Sequence, residues 1–112
     1  MCQYTSVSAG NTYDTEYDYN TGPNGFATET RDKTDYTSAY VWHKGVYSAN
    51  ISVRSGGVNY SANGGSYFVS AGSSAYLPNY VKENGINNCY LYLTPSPALS
   101  CELFGQWSPD SV

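Results

Sequence analysis

Between Tyr13 and Asn20 the chain switches sides at nearly every residue. Tyr13, Tyr17 and Tyr19 fall on one side of an extended backbone, and Asp14, Glu16 and Asp18 fall on the other. That two-residue period belongs to a β-strand, whose successive side chains point to opposite faces. The same alternation recurs along the chain. It is punctuated by turn formers such as Gly22-Pro23-Asn24-Gly25, Gly56-Gly57 and Asn63-Gly64-Gly65, and helical periodicity is nearly absent. Short strands at such spacing predict an all-β fold, an antiparallel β-sandwich of about 7–9 short strands forming one domain over residues 1–112. The single helical candidate is Pro78 to Asn84, with proline suited to a first turn and Gly85 suited to the position just past the end.

Two segments allow a register to be predicted. A two-residue loop at Gly56-Gly57 sets Val53 opposite Tyr60 and Ile51 opposite Ala62, so that apolar residues meet on one face. A turn at Lys44-Gly45 would likewise set Trp42 opposite Tyr47 and Tyr40 opposite Ala49. A third hairpin, tipped by Thr94-Pro95-Ser96-Pro97, would pair Leu91 with Leu99 and Cys89 with Cys101. Opposed strand residues can meet disulfide geometry, so a Cys89–Cys101 bridge is expected; the alternative is two reduced cysteines packed as small hydrophobes. Cys2 is then left over, as a free thiol, as a link to a second chain in an oligomer, or as the first residue of a mature lipoprotein.

Composition narrows the function classes. Leu, Ile, Val and Phe number only 18 of 112 residues, a share usually seen in disordered chains. Disorder also requires high net charge, whereas here only 12% of residues are charged and the net charge is −4. Thirteen tyrosines and two tryptophans supply the missing apolar surface. The acidic balance and five scattered basic residues argue against a nucleic-acid partner. No apolar run is long enough to span a membrane. The lysine-poor, tyrosine-rich mixture suits a secreted, extracellular protein, read here as a mature form carrying Met1, since residues 1–4 resemble no signal peptide.

Three features carry chemistry. Asp14, Glu16 and Asp18 project from one strand face about 7 Å apart, and a calcium ion is the cofactor that would relieve their repulsion. The plainer alternative, which we favour, is a solvated acidic edge or pairing with Arg31 and Lys33. His43 is the only histidine, and no nucleophile motif accompanies it, so an enzyme is not expected. The aromatic set is the most suggestive feature. Tyr36, Tyr40, Trp42, Tyr90, Tyr92 and Trp107 are the candidate ligand-binding residues, for a cell-surface, glycan or protein partner. Core edges and cross-strand ladders are an equal claim on the same rings.

The segment Lys33-Thr34-Asp35-Tyr36-Thr37-Ser38-Ala39-Tyr40-Val41, the stretch Asn79-Tyr80-Val81-Lys82-Glu83-Asn84-Gly85 and the ending Trp107-Ser108-Pro109-Asp110-Ser111 resemble a group of small exported proteins of Gram-positive, Clostridia-type gut bacteria. The resemblance spans roughly residues 33–112 and brings no activity with it. Lactococcin-972-type bacteriocins are similar in size, export and fold class alone, with no shared residue motif. Together these features predict a secreted, non-catalytic binding or effector protein, bacteriocin-like or engaging a surface or host ligand. A carbohydrate-binding or calcium-dependent adhesion module is the alternative.

Overall fold

A computed structural model describes residues 10–112 of the protein. The strand predicted for Gln3 to Ala9, and Cys2, lie outside the described residues. Among the described residues ten strands form two antiparallel sheets: β1 (Thr15–Thr21), β2 (Phe26–Ala27), β3 (Arg31–Asp32), β4 (Ala39–His43), β5 (Ser48–Ser55), β6 (Val58–Asn59), β7 (Tyr67–Val69), β8 (Ser73–Leu77), β9 (Asn88–Ser96) and β10 (Cys101–Ser108). One sheet has the order β1-β10-β4-β8. The other is built on β2-β9-β5-β6, with β3 also pairing to β9 and β7 to β5. The predicted all-β sandwich is therefore the fold, with slightly more strands than expected.

The core lies between the sheets and follows the alternation. Along β5 the inward residues are Ala49, Ile51 and Val53, and along β9 they are Cys89, Leu91 and Leu93. Facing them are Ala39 and Val41 of β4, Leu77 of β8, and Leu103 and Trp107 of β10. Each large side chain in this layer contributes roughly 1.5–3 kcal/mol by leaving water. Trp107, a predicted ligand-binding residue, is fully buried here and belongs to the core. Its neighbours two residues apart, Leu103 and Gly105, are buried on the same face.

The Gly56-Gly57 hairpin forms as predicted. Arg54 faces Asn59, Ser55 faces Val58, and the Tyr60 N–H donates to the Val53 carbonyl at 2.8 Å. Both glycines have positive φ, +57° and +82°, which a two-residue loop of this kind demands. The pairing then ends, and β7 takes over, setting Tyr67 rather than Ala62 opposite Ile51.

The other two predicted hairpins are arches. The chain crosses at Lys44-Gly45 from one sheet to the other, so Trp42 lies beside Gln106 and Ser74 rather than Tyr47. It crosses again between β9 and β10. Strand β9 runs straight through Pro95 to Ser96, with Pro95 opposite Ala49, while β10 pairs with β1 and β4. Cys89 is thus aligned with Arg31, and Cys101 with Thr21. Cys89 sits seven residues, about 23 Å of strand, back from the crossing. The expected Cys89–Cys101 disulfide is not formed, and both thiols are free. The physical reason lies in the two apolar faces: as an arch they meet each other across the core, whereas as a hairpin they would lie side by side and need a further layer. Burial pushes the Cys89 thiol up to about 12, which leaves it inert.

The helical candidate condenses to a single 3-10 turn, Lys82–Asn84, closed by Gly85 at φ +73° with its N–H on the Lys82 carbonyl.

Candidate functional site

The inward residues of β4 are Ala39, Val41 and His43, so Tyr40 and Trp42 point outward. On β1 Tyr17 and Thr21 are buried, and Glu16 and Asp18 stand outside. The register joins these outward residues into rows across the four-stranded sheet. Glu16 lies next to Gln106, Gln106 next to Trp42, and Trp42 next to Ser74. One step along, Ser108 lies next to Tyr40, and Tyr40 next to Tyr76. The Tyr40 and Tyr76 rings are 5.6 Å apart and tilted by 53°.

Beside these rings is an open cleft of about 260 Å³ lined by Thr12, Asp14, Tyr40, Tyr76, Ser108, Asp110 and Ser111. It combines two tyrosine rings, two aspartates and hydroxyl-bearing residues. Asp14 is held in place by the Gln106 amide, which donates to its carboxylate at 3.1 Å. Gln106 in turn accepts from the Lys44 ammonium, which lies 4.6 Å from the Trp42 ring centre.

Beneath one end of the cleft is a buried ion pair. The Lys33 ammonium gives its hydrogen bonds to the Thr37 and Pro109 carbonyls and to Asp110, whose Oδ1 is 2.5 Å away. The other Asp110 oxygen accepts from the Asn11 and Thr34 N–H groups and from the Thr34 hydroxyl. Burial alone would push the Asp110 carboxyl up. Lys33 and the Thr34 and Asn11 donors outweigh it and hold the group at about 2. This pair joins the segment beginning at Lys33 to the Trp107-Ser108-Pro109-Asp110-Ser111 ending, so two of the three sequence patches quoted above are halves of one structure.

The only histidine is sealed in the core. The Tyr17 hydroxyl donates to His43 Nδ1 at 2.8 Å, and His43 Nε2 donates to the Tyr47 carbonyl at 2.7 Å. Burial lowers the His43 pKa and raises that of Tyr17, so both are neutral. Gly105 makes room for them: a Cβ there would come within 2.5 Å of the Tyr17 hydroxyl and 2.3 Å of the Trp42 carbonyl oxygen.

The predicted binding residues are therefore divided. Tyr40 and Trp42 share the outer face of the four-stranded sheet. Tyr90 and Tyr92 lie on the outside of the other sheet, where Arg54 covers the Tyr92 ring at 5.0 Å. Tyr36 is exposed in the loop between β3 and β4, and Trp107 is in the core. Asp14, Glu16 and Asp18 do share a face with the cleft. They step along it rather than converging, and among the described residues no three His, Cys, Asp or Glu side chains are grouped to hold a metal ion. Asp18 instead lies close to Glu102 of β10, and that neighbouring carboxylate raises the Glu102 pKa. Tyr76 and Glu102 were not among the predicted residues. The alternation of Ser74, Ala75, Tyr76 and Leu77 was the available signal for the first.

A family model described as "Protein of unknown function (DUF2712)" matches residues 5–111, and the chain belongs to that family. No curated protein and no solved structure matches it.

Proposed function

We propose that this DUF2712 protein is an exported, non-catalytic binding protein that engages a surface ligand on the outer face of its four-stranded sheet. The observation that carries the proposal is the cleft beside Tyr40 and Tyr76, where aromatic rings, a fixed carboxylate and hydroxyl groups line a single concavity. Rigid rings on paired strands present contact area at little entropic cost, as binding surfaces require. The sealed His43, with both ring nitrogens engaged, supports a non-catalytic role. Export is supported by the composition, poor in lysine and rich in tyrosine.

The test is binding of the labelled chain to glycan arrays, mucin and whole bacterial cells, in parallel with a Tyr40→Ala/Tyr76→Ala variant. Loss of retention in the variant is the expected result. Equal retention of both chains on every surface would remove this face as the site. An effector acting on other bacteria is the active form of the same proposal, and a spot assay against a strain panel reads it directly.

A further inference from the structure

The chain contains five lysine and arginine residues, and each has a defined place. Lys33 is in the buried ion pair, and Lys82 donates to Asn87. The other three lie against aromatic rings: Arg31 at 5.2 Å from the Trp107 ring centre, Lys44 at 4.6 Å from Trp42, and Arg54 at 5.0 Å from Tyr92. A cation over a ring face is attracted by the ring's quadrupole. This charge-poor molecule thus spends most of its cations on rings.

The Tyr40–Tyr76 pair carries no such cation. No lysine or arginine lines its cleft, Tyr76 is 64% exposed, and Asp14 lines the same cleft across β10. Rings with an adjacent carboxylate are the surroundings that favour a positive group. From the cleft the carboxylates continue along the same face as Asp14, Glu16 and Asp18, with Glu102 beside Asp18. On a strand such alternate residues repeat about every 7 Å, which is also the repeat of alternate side chains on an extended peptide.

We propose that the cleft and the carboxylate row form a docking surface for an extended basic segment of a partner protein, with one lysine or arginine side chain seated between Tyr40, Tyr76 and Asp14. The charge is complementary and the spacing commensurate: alternate basic side chains of the segment meet the carboxylates of β1 in turn. This rests on the outer face being the binding face, and adds the chemistry of what it binds.

The test is fluorescence anisotropy with the intact protein and a labelled octapeptide of alternating lysine and threonine, compared with the same peptide fully acetylated on its lysines. Binding of the first and its loss on acetylation are expected, with affinity falling as salt is raised. Tyr76→Ala and Asp14→Asn should each weaken binding about fivefold. Glu83→Gln, outside the face, should leave it unchanged. No binding, equal binding of the acetylated peptide, or equal weakening by Glu83→Gln would overturn the proposal. Tyr76-dependent binding of a neutral oligosaccharide in place of the peptide would overturn it too, while leaving the face's role in binding intact.

Discussion

Two polar clusters lie buried in this small sandwich, and they are built on opposite principles. Lys33 and Asp110 are a charged pair at the edge of the core, with every neighbouring donor and acceptor recruited to them. Tyr17 and His43 are a buried neutral pair at the end of β4, one hydroxyl and one imidazole in series on the Tyr47 carbonyl. A buried charge is stable only while its partner and its hydrogen bonds are all present, whereas a neutral pair loses little more than a hydrogen bond when cut. The charged cluster is therefore the more brittle of the two. It is also the one that spans 77 residues of sequence, from the start of the β3–β4 loop to the segment after β10.

The largest expected effect is that of removing one charge. Asp110→Ala leaves the Lys33 ammonium buried and unpaired and should cost about 3–5 kcal/mol in urea unfolding, while Lys33→Met combined with Asp110→Leu should recover most of it. If the double variant were no more stable than the single one, packing rather than charge would govern this cluster.

Acid titration separates the two clusters without mutation. The folded-state pKa of Asp110 is about 2, below its ordinary 3.8. Its contribution, roughly 2 kcal/mol, is present above pH 3.8 and lost as pH falls through 2. The His43 pKa is lowered from 6.5, so its contribution is present above pH 6.5 and lost as pH falls through the lower folded value. Thermal melting across pH 2–8 should show an upper and a lower step, the upper abolished by His43→Gln. A single step unaffected by that change would count against a buried neutral imidazole.

Tyr17→Phe leaves His43 Nδ1 without its donor and should cost about 1–3 kcal/mol, less than the ion-pair truncation. Tyr76→Ala, on the solvated face, should change stability by less than about 0.5 kcal/mol. Stability and binding can then be read independently at that position.

The contrast also marks what the sequence reveals. The alternation exposes the fold class because face and residue type are tied together on every strand. The Gly56-Gly57 hairpin is legible because only glycines readily take two successive positive φ angles. Lys44-Gly45 and Thr94-Pro95-Ser96-Pro97 carry similar turn chemistry, yet the chain crosses the core at both places. Local turn residues do not say whether the next strand lies alongside or opposite; that is decided by which apolar faces must cover one another. The same ignorance of layer placed Trp107 among binding residues, and the expectation of Cys89–Cys101 followed from it. The outward places of Tyr40, Trp42 and the acidic row are legible because aromatic and charged side chains make the alternation conspicuous. Tyr76 was missed on a short, serine-rich strand, and the Lys33–Asp110 pair has no local signature.

The pairing of β1 with β10 sets an order of events. Thr15 lies beside Trp107 and Thr21 beside Cys101, so the four-stranded sheet joins residues eighty or more positions apart. With arches in place of two hairpins, few local contacts can form early, and chains dominated by such distant pairings fold slowly. Until β10 has been synthesised, β1 lacks the strand it pairs with among the described residues, so the four-stranded sheet is completed late.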